Sequence, residues 1–177
     1  MRPWEHALVF LISTIFDLYL FVLTFRLLLA FSRSNYFNPL TQFIIKLTQP
    51  IVAPVRRVIP NYKNFETATF LWMLIITAIK ITLITLLVLG GISLLFLVTA
   101  TIAGTIKIIL SALFWAILIQ AILSWVQQSY SPIYQILDQI TAPVLNPIRR
   151  IIPPIGGFDF TPLIALIGLQ ALMILIP

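Results

Sequence analysis

Thr48-Gln-Pro-Ile-Val-Ala-Pro-Val-Arg-Arg-Val-Ile-Pro60 returns later in the chain as Thr141-Ala-Pro-Val-Leu-Asn-Pro-Ile-Arg-Arg-Ile-Ile-Pro153, with every Thr, Pro and Arg at its matching place. Seven of the thirteen positions are identical and most of the others are conservative. The match extends outward: Asn38-Pro39-Leu40 faces Ser131-Pro132-Ile133, Phe65-Glu66 faces Phe158-Asp159, and, after a one-residue gap, Ala30-Phe31 faces Ser124-Trp125. Similarity of this length at fixed spacing marks an internal duplication. It divides the chain into two units, residues 1–90 and 91–177.

Apolar runs flank each copy. Of the 177 residues, 60% are hydrophobic and 9% are charged, with a mean hydropathy of +1.08, outside the balance of a water-soluble domain. A hydrocarbon core takes roughly 20 mostly apolar residues to cross. Residues 8–31, 70–89 and 102–125 supply such runs, and 162–176 is shorter but apolar throughout. Asp17 interrupts the first run and no small-x-small cleavage site follows it, so this run reads as a retained span rather than a signal peptide.

The pattern predicts an all-α membrane protein of four transmembrane helices. Each unit is a span, an interfacial stretch with the double arginine, and a second span. Two crossings return the chain to its starting side, so the units are parallel repeats rather than inverted ones. Residues 33–63 carry five Lys or Arg and 127–158 carry two, whereas only Arg2 lies outside the spans on the other side. The positive-inside rule then puts both arginine segments in the cytoplasm and both termini outside. The connector at 90–100 is too apolar for an ordinary loop: either a neighbouring helix runs long or a fifth span is present.

Within the interfacial stretches, Asn38-Pro39 and Ser131-Pro132 read as an N-cap followed by proline at the first helical position, where its missing N–H is harmless. Ile133, Ile136, Leu137 and Ile140 then form one apolar helix face opposite Gln135, Asp138 and Gln139. About three turns cannot span a bilayer, so the predicted element is an amphipathic helix at headgroup level. Pro50, Pro54 and Pro60, like Pro143, Pro147 and Pro153, are expected to end the helix before the arginines. Thr161-Pro162 repeats the cap signal and is expected to open the last span.

The frame Thr-x-Pro-x-x-x-Pro-x-Arg-Arg-x-Ile-Pro, followed by Gly-Gly-Phe-Asp-Phe-Thr-Pro at 156–162, resembles the YggT family, also called YlmG. Both copies carry the frame, so the resemblance covers nearly the whole chain, with Asp159 and Pro162 as part of its pattern. The first copy departs after Pro60, where Asn61-Tyr-Lys-Asn replaces the glycine turn and Glu66-Thr-Ala-Thr replaces Asp159-Phe-Thr-Pro. The resemblance implies a small bacterial inner-membrane protein tied to osmotic stress tolerance and, in some lineages, to division or envelope organisation. Plastid members of the family are linked to cytochrome assembly and nucleoid distribution. No enzymatic activity and no cofactor come with it.

Two sets of charged residues stand out. Arg56, Arg57, Arg149 and Arg150 sit between apolar neighbours, an arrangement that suits guanidinium forks reaching lipid phosphates or a membrane-protein partner. The alternative is that they only fix topology. Asp17, Lys80 and Lys107 fall inside apolar runs, where an ion costs on the order of 3 kcal/mol, so an Asp17–Lys80 or Asp17–Lys107 pair is expected. Arg26, near the end of its span, calls for no functional role on this reading. The net charge of +6 does not gather into a basic face with stacking aromatics, which argues against nucleic acid. Cysteine is absent and the one histidine is His6, so thiolate metal sites are excluded and haem ligation is not expected. Five acids without Ser-His-Asp clustering, and no nucleotide loop, give no basis for catalysis. The sequence reading is therefore a membrane organising or assembly factor that engages anionic lipid, a partner or a second copy, with a channel or transporter subunit as the alternative.

Overall fold

The computed structural model describes residues 2–32, 37–62, 65–125, 131–152 and 159–177. These residues form six helices: α1 (Pro3–Phe31), α2 (Pro39–Val58), α3 (Thr67–Leu89), α4 (Leu94–Trp125), α5 (Pro132–Ile151) and α6 (Thr161–Leu175). No strand occurs among them; Tyr62 and Phe65 form one isolated bridge ahead of α3.

α1, α3 and α4 are apolar on all sides, and with 29, 23 and 32 residues they are long enough to cross a membrane. At about 1.5 Å per residue each exceeds a ~30 Å core. α6 is equally apolar but has 15 residues, or about 22 Å, less than that thickness. α2 and α5, 20 residues each, are one-sided instead. α2 buries Thr41, Thr48 and Val52, and α5 buries Ile136, Leu137, Ile140, Thr141 and Leu145. The apolar connector resolves into a short link and a long helix. α3 closes on Gly90 in the left-handed region (φ 69°), whose N–H reaches the Leu86 carbonyl at 3.1 Å, and α4 already starts at Leu94.

The prolines do not end the amphipathic helices before the arginines, contrary to the expectation from the sequence. α2 runs through Pro50 and Pro54 and takes in Arg56 and Arg57; α5 runs through Pro143 and Pro147 and takes in Arg149 and Arg150. The spacing explains it. Prolines four residues apart stack on one helix face, here the exposed one, so each removes a ladder bond there while the buried face stays paired. The residue before a proline is pushed out of the helical region. Accordingly α2 ends at Ile59, extended at φ −117° and ψ 104°, just ahead of Pro60; Ile152 does the same after α5 at −123° and 94°, and Pro153 lies outside the described residues. Thr161 is the first helical residue of α6 and not its cap; Phe160 holds the N-cap position, and Asp159, one residue earlier, accepts from the Thr161 N–H at 2.9 Å.

Among the described residues, three apolar clusters hold the helices. One joins Leu20, Leu23 and Leu27 of α1 to Val52 of α2 and Met73 of α3. A second joins Ile117 of α4 to Leu145 of α5 and Ala165 of α6. The third, around Leu28, Ala112, Ala116 and Ile140, connects the two halves. Asn38 adds a polar link: its Oδ1 caps α2 by accepting from the Leu40 N–H at 3.0 Å, and its Nδ2 donates to the Pro132 carbonyl at the start of α5 at 3.0 Å.

Candidate functional site

Both arginine pairs occupy the last turn of an amphipathic helix, where cations meet the negative end of the helix dipole. Successive helical residues point about 100° apart, so the two arginines of a pair leave the helix in different directions. The first of each pair turns to the acid that opens the next helix. Arg149 Nε lies 3.0 Å from Asp159 Oδ2, and Arg56 Nη1 lies 3.9 Å from Glu66 Oε1. The second of each pair, Arg57 and Arg150, is exposed and has no ionic or hydrogen-bonded partner among the described residues. The duplicated frame therefore turns one guanidinium per copy toward that acid, hydrogen-bonded in the second copy and at ion-pair distance without a hydrogen bond in the first, and leaves the other open.

Glu66 is the centre of a buried cluster. Arg26 of α1, 3% exposed, donates to its two oxygens from Nε at 2.7 Å and Nη2 at 3.3 Å. The same guanidinium donates from Nη1 to Thr48 Oγ1 at 2.8 Å and from Nη2 to Gln49 Oε1 at 3.2 Å. Thr69 Oγ1 donates to Glu66 Oε2 at 2.6 Å. Burial pushes the Glu66 carboxyl up, but the hydrogen bonds from Arg26 and Thr69 and the charges of Arg26 and Arg56 outweigh it, so its pKa lies below the usual carboxylate value. Asp159 behaves alike: burial raises it, and bonds from Thr161 and Arg149 bring it below the usual value.

This cluster is a departure from the sequence expectation, in which Arg26 near the end of its span has no role. The signal was in the repeat. Continuing the alignment Ala30-Phe31 with Ser124-Trp125 puts Gln120 opposite Arg26. Gln120 is buried, accepts from Thr141 Oγ1, and donates from Nε2 to Asp138 Oδ1 at 2.9 Å. Thr48 and Thr141 are matching residues, so one half fills the position behind its amphipathic helix with a buried ion pair and the other with a neutral amide.

Along the exposed faces of α2 and α5 run two clefts at matching positions. The first, about 600 Å³, includes Lys46, Gln49, Pro50 and Ala53; the second, about 340 Å³, includes Gln139, Pro143, Asn146 and Arg150. Each cleft therefore combines a cation with side-chain amides beside a proline. Such a surface suits a phosphodiester or a polar peptide segment. Pro60 accepts from Thr67 Oγ1 at 2.8 Å, and Pro162 is the second residue of α6.

Of the intramembrane ions, Asp17 and Lys80 come together, Lys80 Nζ donating to Asp17 Oδ1 at 2.6 Å. Lys107 lies elsewhere and donates to the Pro177 carbonyl at 2.9 Å. No group of three or more His, Asp or Glu side chains converges among the described residues.

A sequence profile described as CCB3/YggT matches the chain twice, over residues 6–87 and 99–177, as a tandem repeat would. A Vibrio alginolyticus protein described as uncharacterized and lying in the proC 3′ region is 44% identical over 168 residues, covering 93% of this chain and 90% of the relative. The uncharacterized protein YggT of Escherichia coli K12 is 39% identical over 170 residues, 94% of this chain and 87% of the relative. The uncharacterized Pseudomonas aeruginosa protein PA0392 is 34% identical over 174 residues, 96% of this chain and 88% of the relative. No solved structure matches.

Proposed function

The chain belongs to the CCB3/YggT family, and from that premise we propose that it is a non-enzymatic organising factor of the bacterial inner membrane whose open arginines, Arg57 and Arg150, hold anionic headgroups at the cytoplasmic surface. The observation that carries this reading is the division of labour inside each pair. Arg149 is hydrogen-bonded to Asp159 and Arg56 lies at ion-pair distance from Glu66, while Arg57 and Arg150 are exposed at matching positions. If the pairs only marked topology, no reason would exist for the same arginine to turn toward that acid in both copies. A guanidinium fork takes a phosphate with two parallel bonds, which an ammonium cannot copy. A link to osmotic stress tolerance follows if headgroup capture sets where the protein gathers in the membrane. The channel alternative has weaker support, because Asp17 and Lys80 pair on the surface of one chain and Lys107 is apart from them.

Native mass spectrometry from nanodiscs of mixed phosphatidylglycerol and phosphatidylcholine tests the proposal. The parent should retain phosphatidylglycerol preferentially. Arg57→Lys with Arg150→Lys should keep insertion and thermal stability and lose most of that preference. Equal retention by parent and double variant would reduce the arginines to topology markers.

A further inference from the structure

Asp17 and Lys80 sit near the midpoints of α1 and α3, so their ion pair lies deep in any bilayer those helices cross. It is not enclosed. The Asp17 side chain is 48% exposed and that of Lys80 is 18% exposed, and among the described residues each makes its one charged contact with the other. The nearby Thr14 hydroxyl returns to the Phe10 carbonyl at 2.8 Å and so does not serve the carboxylate. Two carboxylate oxygens and three ammonium protons thus share one short bond, with capacity left over toward the outside. Hydrocarbon cannot supply the missing partners. The surroundings are apolar: Phe10, Leu18 and Phe21 on α1, and Ile79 and Leu83 on α3, are all exposed.

We infer that this face of α1 and α3 is the seat of a second copy of this chain, packed about a two-fold axis along the membrane normal, with Asp17 of each copy meeting Lys80 of the other. The charge pattern selects the occupant. A carboxylate and an ammonium side by side at one depth are self-complementary under a two-fold rotation, and a second copy in the same orientation necessarily brings the opposite order. The result is a four-charge ring inside an apolar rim, which is how polar groups join helices within a membrane. α6 packs, among the described helices, on α4 and α5 and not on α1 or α3, and contains no charged residue. The inference is independent of the arginine reading, since it concerns another face and another depth.

The chain has no cysteine, so single cysteines report contacts cleanly. Leu18→Cys, on the patch, and Ile167→Cys, on α6, start from similar exposure, 64% and 63%. In oxidised proteoliposomes the first should form a covalent dimer and the second should not. No dimer at Leu18→Cys, or an equal yield at Ile167→Cys, overturns the inference. A second experiment guards against variants that fail to fold alone. An Asp17→Lys chain carries two cations at the patch and a Lys80→Asp chain two carboxylates. Co-expressed with different tags, they should capture each other about tenfold better than either captures itself. If the mixed pair is recovered no better than either chain alone, the ion pair belongs to single chains and the inference fails.

Discussion

Glu66→Gln isolates the energetic weight of the buried cluster. The substitution keeps the size of the side chain and removes the carboxylate that Arg26 grips from two nitrogens, at 2.7 and 3.3 Å. Arg26 is 3% exposed and cannot turn to water. Breaking a buried pair from one side costs about 3–5 kcal/mol. Thr48 and Gln49 still accept from the guanidinium, so the expected loss is at the low end, about 3 kcal/mol. For a chain of this size that lowers Tm by about 6–12 °C. Tryptophan fluorescence during heating in detergent reads it, since Trp72 packs beside this core. Asp159→Asn is the control: its pair with Arg149 has side chains 39% and 36% exposed, a setting in which ion pairs are worth about 0.2–1 kcal/mol. The decisive variant is Arg26→Gln with Glu66→Gln, which puts a neutral amide at the position that Gln120 holds in the other half. It should recover most of the loss as a coupling energy. A Glu66→Gln melting point within about 2 °C of the parent, or strict additivity in the double variant, would refute the buried-pair argument. The pH dependence has a fixed sign. Because the folded carboxyl titrates below its ordinary value of 4.5, its stabilisation is complete above that value and is lost as pH falls through the lower, folded value. The gap between parent and Glu66→Gln should thus stay constant from neutral pH down to about 5 and close only in stronger acid.

Two further expectations follow from other parts of the chain. Cysteines at Asn61 and Asn146 should be labelled by membrane-impermeant reagents only from the cytoplasmic side; labelling from outside intact cells contradicts the parallel-repeat topology. A Cβ on Gly104 would meet Thr77 Cγ2 at 3.3 Å, whereas one on Gly168 meets nothing within 4 Å, so Gly104→Leu should destabilise by about 1–3 kcal/mol more than Gly168→Leu in the same melting assay.

What could be read from the sequence divides along physical lines. The long apolar runs, the caps at Asn38 and Ser131 and the repeat frame are local or periodic signals, and the six helices follow them. The prolines misled because the helix-breaking rule treats each one singly. Pro50 with Pro54, and Pro143 with Pro147, concentrate their missing donors on one exposed face, and only the pair Ile59-Pro60, with no further proline in step, ends α2. Arg26 and Glu66 lie forty residues apart, and Thr69, which bonds Glu66 from the start of α3, gives no sign of Arg26. Internal duplication offers the route past that distance, because a position that must be polar in both copies shows itself even when the chemistry differs. Arg26 and Gln120 both reach the threonine that follows the apolar face of their amphipathic helix, Thr48 and Thr141. Polar contact there is common to both halves and full charge is not. The buried ion pair is therefore one solution to anchoring the amphipathic helix against its first span, and the need for an anchor is what the two halves share.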